Sequence, residues 1–144
     1  MNPNNNNHTV DYASLVLRIF LAAVLWPHGA QKLLGWFDGL GFTNSMNYFT
    51  VTVGLPWFIG LIVIIIEFFG SIAILAGWAT RVWGFLISVV MTGVIISVAH
   101  EHFFMNWFGT NKTEGAEFFL LATGIATTLV VIGGGRFSVD KIKN

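Results

Sequence analysis

The sequence has no cysteine, few charges and no surplus of either sign, and each shortage removes a class of protein. Without a thiol, this chain builds no disulfide, thiolate metal site, iron–sulfur cluster or dithiol relay of its own. Asp, Glu, Lys and Arg make up only 10% of the 144 residues, whereas about 25% is usual in soluble domains. A domain this small has too much surface to cover with so few charges, so a water-soluble monomer is excluded. Seven basic residues against seven acidic ones leave no excess to meet phosphates, which argues against nucleic acid as a partner. No phosphate loop, nucleophile elbow or dinucleotide fingerprint is present.

What is there is apolar. Hydrophobic residues make up 55% of the chain, and the mean hydropathy is +0.73. No Asp, Glu, Lys or Arg occurs from Gly39 to Ile66, from Val82 to His100 or from Phe118 to Gly135. Bilayer hydrocarbon about 30 Å thick needs roughly 20 mostly apolar helical residues to cross it. Four stretches meet that need, at about Ala13–Trp36, Leu55–Gly77, Arg81–Phe103 and Gly115–Gly133. The fold class expected is all-α: a polytopic membrane protein whose four transmembrane helices form an up-down bundle over residues 13–136. Residues 1–12, rich in Asn, read as a disordered polar tail, and residues 137–144 as a short cytoplasmic tail. The first stretch lacks a basic leader and carries Arg18, so it reads as a retained span rather than a signal peptide.

Local residues mark the ends. Gly54-Leu55-Pro56 breaks the chain and starts a helix, and Gly133-Gly134-Gly135 stops one. A short interfacial helix is expected over Thr43–Val53. Pro27 falls inside the first span, which neighbouring helices tolerate. With four spans, Arg18, Arg81, Arg136, Lys141 and Lys143 share one side, and Lys32 and Lys112 the other. The positive-inside rule then puts both termini in the cytoplasm. Trp78 and Trp83 mark the inner boundary, and Trp36, Tyr48, Trp57 and Trp107 the outer. Gly60, Gly70, Ser71 and Gly77 give the second span a face for close helix packing.

Ionisable groups at membrane depth are costly and turn inward to pair, so they are the most informative residues. Glu67 lies near the middle of the second span, and Arg18, one turn inside the first, is its expected ion-pair partner. His28, Gln31 and Lys32 share a helix face by their spacing of three and four. Gly29 and Gly35 thin the helix beside them. The topology brings this face to the same leaflet as His100-Glu101-His102, Glu114 and Glu117. A polar pocket opening away from the cytoplasm is expected there, with Lys32 paired to Glu114 or Glu117. The alternative is that these polar groups only mark helix ends. The His-Glu-His run lacks the i, i+4 spacing of helical zinc sites, and nothing in the spacing of His28 and His100 requires a haem, so no metal or haem site is assigned.

These same residues carry a family resemblance. Arg18-Ile19, His28-Gly29-Ala30-Gln31-Lys32-Leu33 with Gly35 and Phe37, Glu67-Phe68-Phe69-Gly70, Leu75-Ala76-Gly77 with Arg81, His100, and Glu117-Phe118 together resemble the DoxX family of small bacterial membrane proteins, over Leu17 to Arg136. The resemblance implies a four-helix integral membrane protein. It also implies, through some members, respiratory-type chemistry: a thiosulfate:quinone oxidoreductase subunit, and membrane complexes of redox stress. Arg18, His28, Gln31, Lys32, Glu67, Arg81 and Glu117 are the positions it carries over. With no cysteine here, any thiol chemistry belongs to a partner. The function expected is an accessory, non-catalytic subunit of a membrane redox complex, in contact with lipid and with a membrane or soluble partner or further copies of itself. A quinone-binding oxidoreductase subunit and a small transporter are the alternatives.

Overall fold

A computed structural model describes the backbone of residues 3–106 and 115–142 and the side chains from residue 8 onward in those ranges. Trp107, Lys112, Glu114 and Lys143 lie outside the described residues. The described residues are helical throughout, with short connections and no strand.

Helix α1 spans Pro3–Leu34. It starts ten residues ahead of the expected boundary at Ala13, so the helix takes in most of the stretch read as a disordered tail. Pro3 suits a first helical position, where no N–H is needed. The extension also has tertiary anchors: the Arg136 N–H donates to Asp11 Oδ1 (2.8 Å), and the Tyr12 and Phe137 rings lie 5.3 Å apart. The helix continues through Pro27.

Gly41–Asn47 forms α2, which runs into a π-helical turn over Tyr48–Thr52. A helical segment therefore stands where one was expected over Thr43–Val53. It is not peripheral, because Met46 and Phe49 pack on Ile64 and over Gly60. The second span, Trp57–Ala76, is built from α3 (Trp57–Ile65), a π-helical turn (Ile66–Gly70) and α4 (Ser71–Ala76). Gly77, at φ 70°, ends α4 as a left-handed cap.

Helix α5 spans Thr80–Ser97, and α6 spans Ala116–Ile132. They form a tight pair. A Cβ at Gly84 would stand 2.9 Å from the Ala126 carbonyl, and the Ser88 and Thr127 hydroxyls are 3.2 Å apart. Helix α5 ends six residues before the expected Phe103, so His100 lies in an irregular turn rather than on a helix. The chain closes with α7, Val139–Ile142.

The exterior is what a lipid environment asks for. Phe20, Phe69, Phe85 and Leu121 are all at least half exposed, while Leu25, Ile74, Ile87 and Leu129 are sealed inside. His8–Leu34, Trp57–Ala76 and Thr80–Ser97 have the length and composition of membrane spans. Helix α6 is also apolar but shorter, at 17 residues.

Candidate functional site

Burial of a charge inside lipid demands a partner, and the structure assigns partners differently from the sequence expectation. Glu67 does not pair with Arg18. Its Oε2 accepts a hydrogen bond from Lys32 Nζ at 2.5 Å, the one ion pair among the described residues. The Glu67 side chain is 5% exposed and that of Lys32 27%, so the cation faces outward and the carboxylate stands behind it. Lys32 is likewise not paired with Glu117, and Glu114, the alternative partner expected, lies outside the described residues.

Arg18 solves its burial with backbone oxygens. At 2% exposure, its guanidinium donates to the carbonyls of Ile74 (2.9 Å), Leu75 (2.6 Å), Gly134 (2.8 Å) and Phe137 (2.8 Å). Ile74 and Leu75 lie in the last turn of α4, where the helix dipole is negative and carbonyls run short of helical N–H donors; the Ile74 oxygen accepts from the Gly77 N–H (3.0 Å) as well as from Arg18. A Cβ at Gly77 would sit 2.8 Å from the guanidinium, so glycine is what admits it. An arginine with five donors suits such a cage; a carboxylate would use fewer of them.

Two local features bring Lys32 and Glu67 together. Glu67 lies in the π-helical turn Ile66–Gly70. Such turns insert a residue into the α-helical register and recur at functional sites. Gly29 of α1 packs directly on that turn: a Cβ there would stand 2.6 Å from the Phe68 backbone N and Cα. The absence of a side chain thus lets α1 touch the turn that carries Glu67. The sequence marked Gly29 as a point of close approach, but nothing in it marked the π turn.

Lys32 opens into a cavity of about 300 Å³ between α1 and the segment that follows it. Gln31, Asp38, Ser45, Tyr48 and Phe49 complete much of its wall. The loop that closes it is strained. Phe37 and Asp38 both have left-handed backbone (φ 54° and 59°), which non-glycine residues adopt only where surroundings enforce it. Gln31 helps to hold it, donating from Nε2 to the Phe37 carbonyl (3.2 Å). The Ser45 hydroxyl is buried in this wall with no hydrogen-bond partner. A buried polar atom without a partner costs about 1–3 kcal/mol.

The remaining expected site residues do not join this cavity. His28 is exposed and stacks on Phe118, ring centres 5.6 Å apart. His100 is exposed in the turn after α5. Glu117 accepts from the Met105 N–H (3.2 Å) and so clasps that turn to the start of α6. Sharing a leaflet did not make these groups converge, because the 41–52 segment, not the ends of α5 and α6, covers Lys32. Among the described residues no three His, Asp or Glu side chains gather as metal ligands do. The sequence reading missed Ser45 and Asp38. Neither carries a motif, and each enters the wall only through the fold of the loop.

A helical bundle whose exterior is apolar and whose charges turn inward defines a multi-pass integral membrane protein. A sequence model of the DoxX family matches residues 13–101, and the chain belongs to that family. It is 30% identical to the Bacillus subtilis (strain 168) protein named "Putative oxidoreductase CatD" over 131 residues, 91% of this chain and 86% of that one. It is 30% identical to the Escherichia coli (strain K12) protein named "Inner membrane protein YqjF" over 138 residues, 93% of this chain and 94% of the other. No solved structure matches.

Proposed function

We propose that the chain is the membrane-embedded accessory subunit of a redox complex and receives the polar head of a quinone in the cavity beside Lys32. The single observation that carries this reading is the Lys32–Glu67 pair set behind a small cavity whose wall holds a buried hydroxyl without a partner. A cavity of about 300 Å³ takes a ring-sized head and leaves an apolar tail to the surrounding lipid. The Ser45 hydroxyl and the Lys32 ammonium are donors for ring carbonyl oxygens. Glu67, reached through Lys32, is a reservoir for a proton.

Reduction of a quinone to a quinol takes two electrons and two protons. Electrons reach the ligand from a partner protein that carries a redox group. The oxidoreductase in the Bacillus relative's name supports the redox part of this reading, and the Escherichia relative's name supports an inner-membrane location. Four spans with both termini in the cytoplasm complete the reading. Arg18, Arg81, Arg136 and Lys141 then lie on the inner side and Lys32 on the outer, as the positive-inside rule asks.

The test uses purified protein in lipid nanodiscs titrated with a short-tailed quinone, read by quenching of tryptophan fluorescence. Saturable binding is expected, weakened by Ser45→Ala and nearly abolished by Lys32→Gln. No saturable binding, or binding indifferent to both substitutions, overturns the proposal. Gentle extraction from membranes should also retrieve a stoichiometric redox partner.

A further inference from the structure

The opposite end of the bundle holds a second, larger cavity of about 1100 Å³, between the N-terminal half of α1, the start of α5 and the segment after α6. Arg81, Arg136 and Lys141 line it, together with Asp11 and Asp140. The two carboxylates are already engaged. Asp11 accepts from the Arg136 N–H, and Asp140 accepts from the N–H groups of Ala79 (2.6 Å) and Thr80 (2.8 Å), which caps α5. The three cations are not neutralised in kind, since none forms an ion pair with a carboxylate of the described residues. Arg81 spends one donor on the Val130 carbonyl (3.1 Å) and keeps the rest. Three positive charges against two negative ones leave the cavity with a surplus of one, and the caged Arg18 behind it adds another.

The position decides what would meet that charge. The cavity lies where the spans end, beside Trp78 and Val82, both largely exposed. Tryptophan at a span end belongs to the headgroup level of a bilayer. An open cavity there is bathed by lipid headgroups, and cations at this depth attract anionic ones. The planar arginine fork matches the oxygens of a phosphodiester.

We infer that this cavity is a binding site for the headgroup of an anionic phospholipid, with Arg81, Arg136 and Lys141 holding the phosphate and the apolar rim beside Trp78 and Val82 receiving the start of the acyl chains. It is separate from the Lys32 cavity and stands or falls independently of the quinone reading.

The experiment is native mass spectrometry of delipidated protein in a neutral detergent, offered phosphatidylglycerol, phosphatidylcholine or inorganic phosphate. One phosphatidylglycerol should be retained in preference to phosphatidylcholine. The double variant Arg136→Gln/Lys141→Gln, which leaves every membrane span intact, should weaken retention by about fivefold for each cation removed. Adding Arg81→Gln should weaken it further. The same variants should leave quinone binding unchanged. Equal retention of the two lipids, or retention undiminished in the double variant, overturns the inference. So does displacement of phosphatidylglycerol by millimolar inorganic phosphate, which would assign the cavity to a free anion.

Discussion

Helix α1 carries two inward-turned cations, Arg18 near its middle and the partly exposed Lys32 in its last turn, and the two are satisfied in opposite ways. Arg18 is closed off: its donors meet four carbonyls of helix ends and turns, and it ties α1, α4 and the C-terminal segment into one knot. Lys32 is left open: it holds one carboxylate, on a π turn, and fronts a cavity with an unpartnered hydroxyl in its wall. The difference separates structure from function. A charge that spends four of its five donors on backbone has little left to offer a ligand. A charge held by a single partner, beside a vacant space and a strained loop, has.

That contrast is open to mutation. The largest effect is expected for Arg18→Met, which takes the guanidinium donors away from four carbonyls and leaves those of Leu75, Gly134 and Phe137 without them. With about 1–3 kcal/mol for each polar group left unpaired, the thermal midpoint in detergent should collapse and the C-terminal segment should become open to proteolysis. Glu67→Gln should leave that segment protected. Next comes the Lys32–Glu67 pair. Glu67→Ala or Lys32→Ala alone should cost about 1–3 kcal/mol, less than a fully buried pair because Lys32 is partly exposed, and the double variant should recover part of the loss. Arg18→Ala with Glu67→Ala should instead give additive losses in the same unfolding measurement. Coupling between Arg18 and Glu67 would break the assignment of separate roles.

Gly29→Ala should be milder in stability but specific in effect. Its Cβ meets the Phe68 backbone, so α1 and the π turn must part by some tenths of an ångström or more. Quinone binding should fall more than the thermal midpoint does; the reverse order would put the close contact outside the site.

The smallest effect is that of acid on the terminal end. Asp140 is held below the usual carboxylate range. Burial pushes it up, but the Thr80 and Ala79 N–H groups and the Arg18 charge outweigh that and favour the ionised form. A depressed folded-state pKa contributes stability that is present above the unfolded value, about 3.9, and is lost as pH falls through the folded one. The protection of residues 138–142 against hydrogen exchange, relative to the intrinsic rate at each pH, should therefore be unchanged across neutral pH and be lost only in strong acid, while Asp140→Asn should lower it at neutral pH. Loss of protection near pH 6 would assign the anchoring of this segment to a group other than Asp140.

Much of the fold was readable before any coordinates. The apolar runs mark all four helices, and Gly54-Leu55-Pro56 marks the start of the second, but α1 begins ten residues earlier and α5 ends six residues sooner than the runs suggest. Both Lys32 and Glu67 stand out as charges in apolar surroundings. Their pairing was not readable. Arg18 seemed the natural partner by charge and reach, yet the carbonyls that claim it come from residues 56 to 119 positions away. His28, His100 and Glu117 share a level in the membrane, but level says nothing of which groups face each other around the bundle.

Hydropathy is summed residue by residue along a helix, so the sequence alone determined the medium, the spans and the fact that a few charges must turn inward. Which charges meet depends on helix rotation and on approaches of a few ångströms: a glycine pressed on a π turn, a loop folded back over α1. Those are settled by the packing of distant segments against one another, and only the tertiary structure decided them.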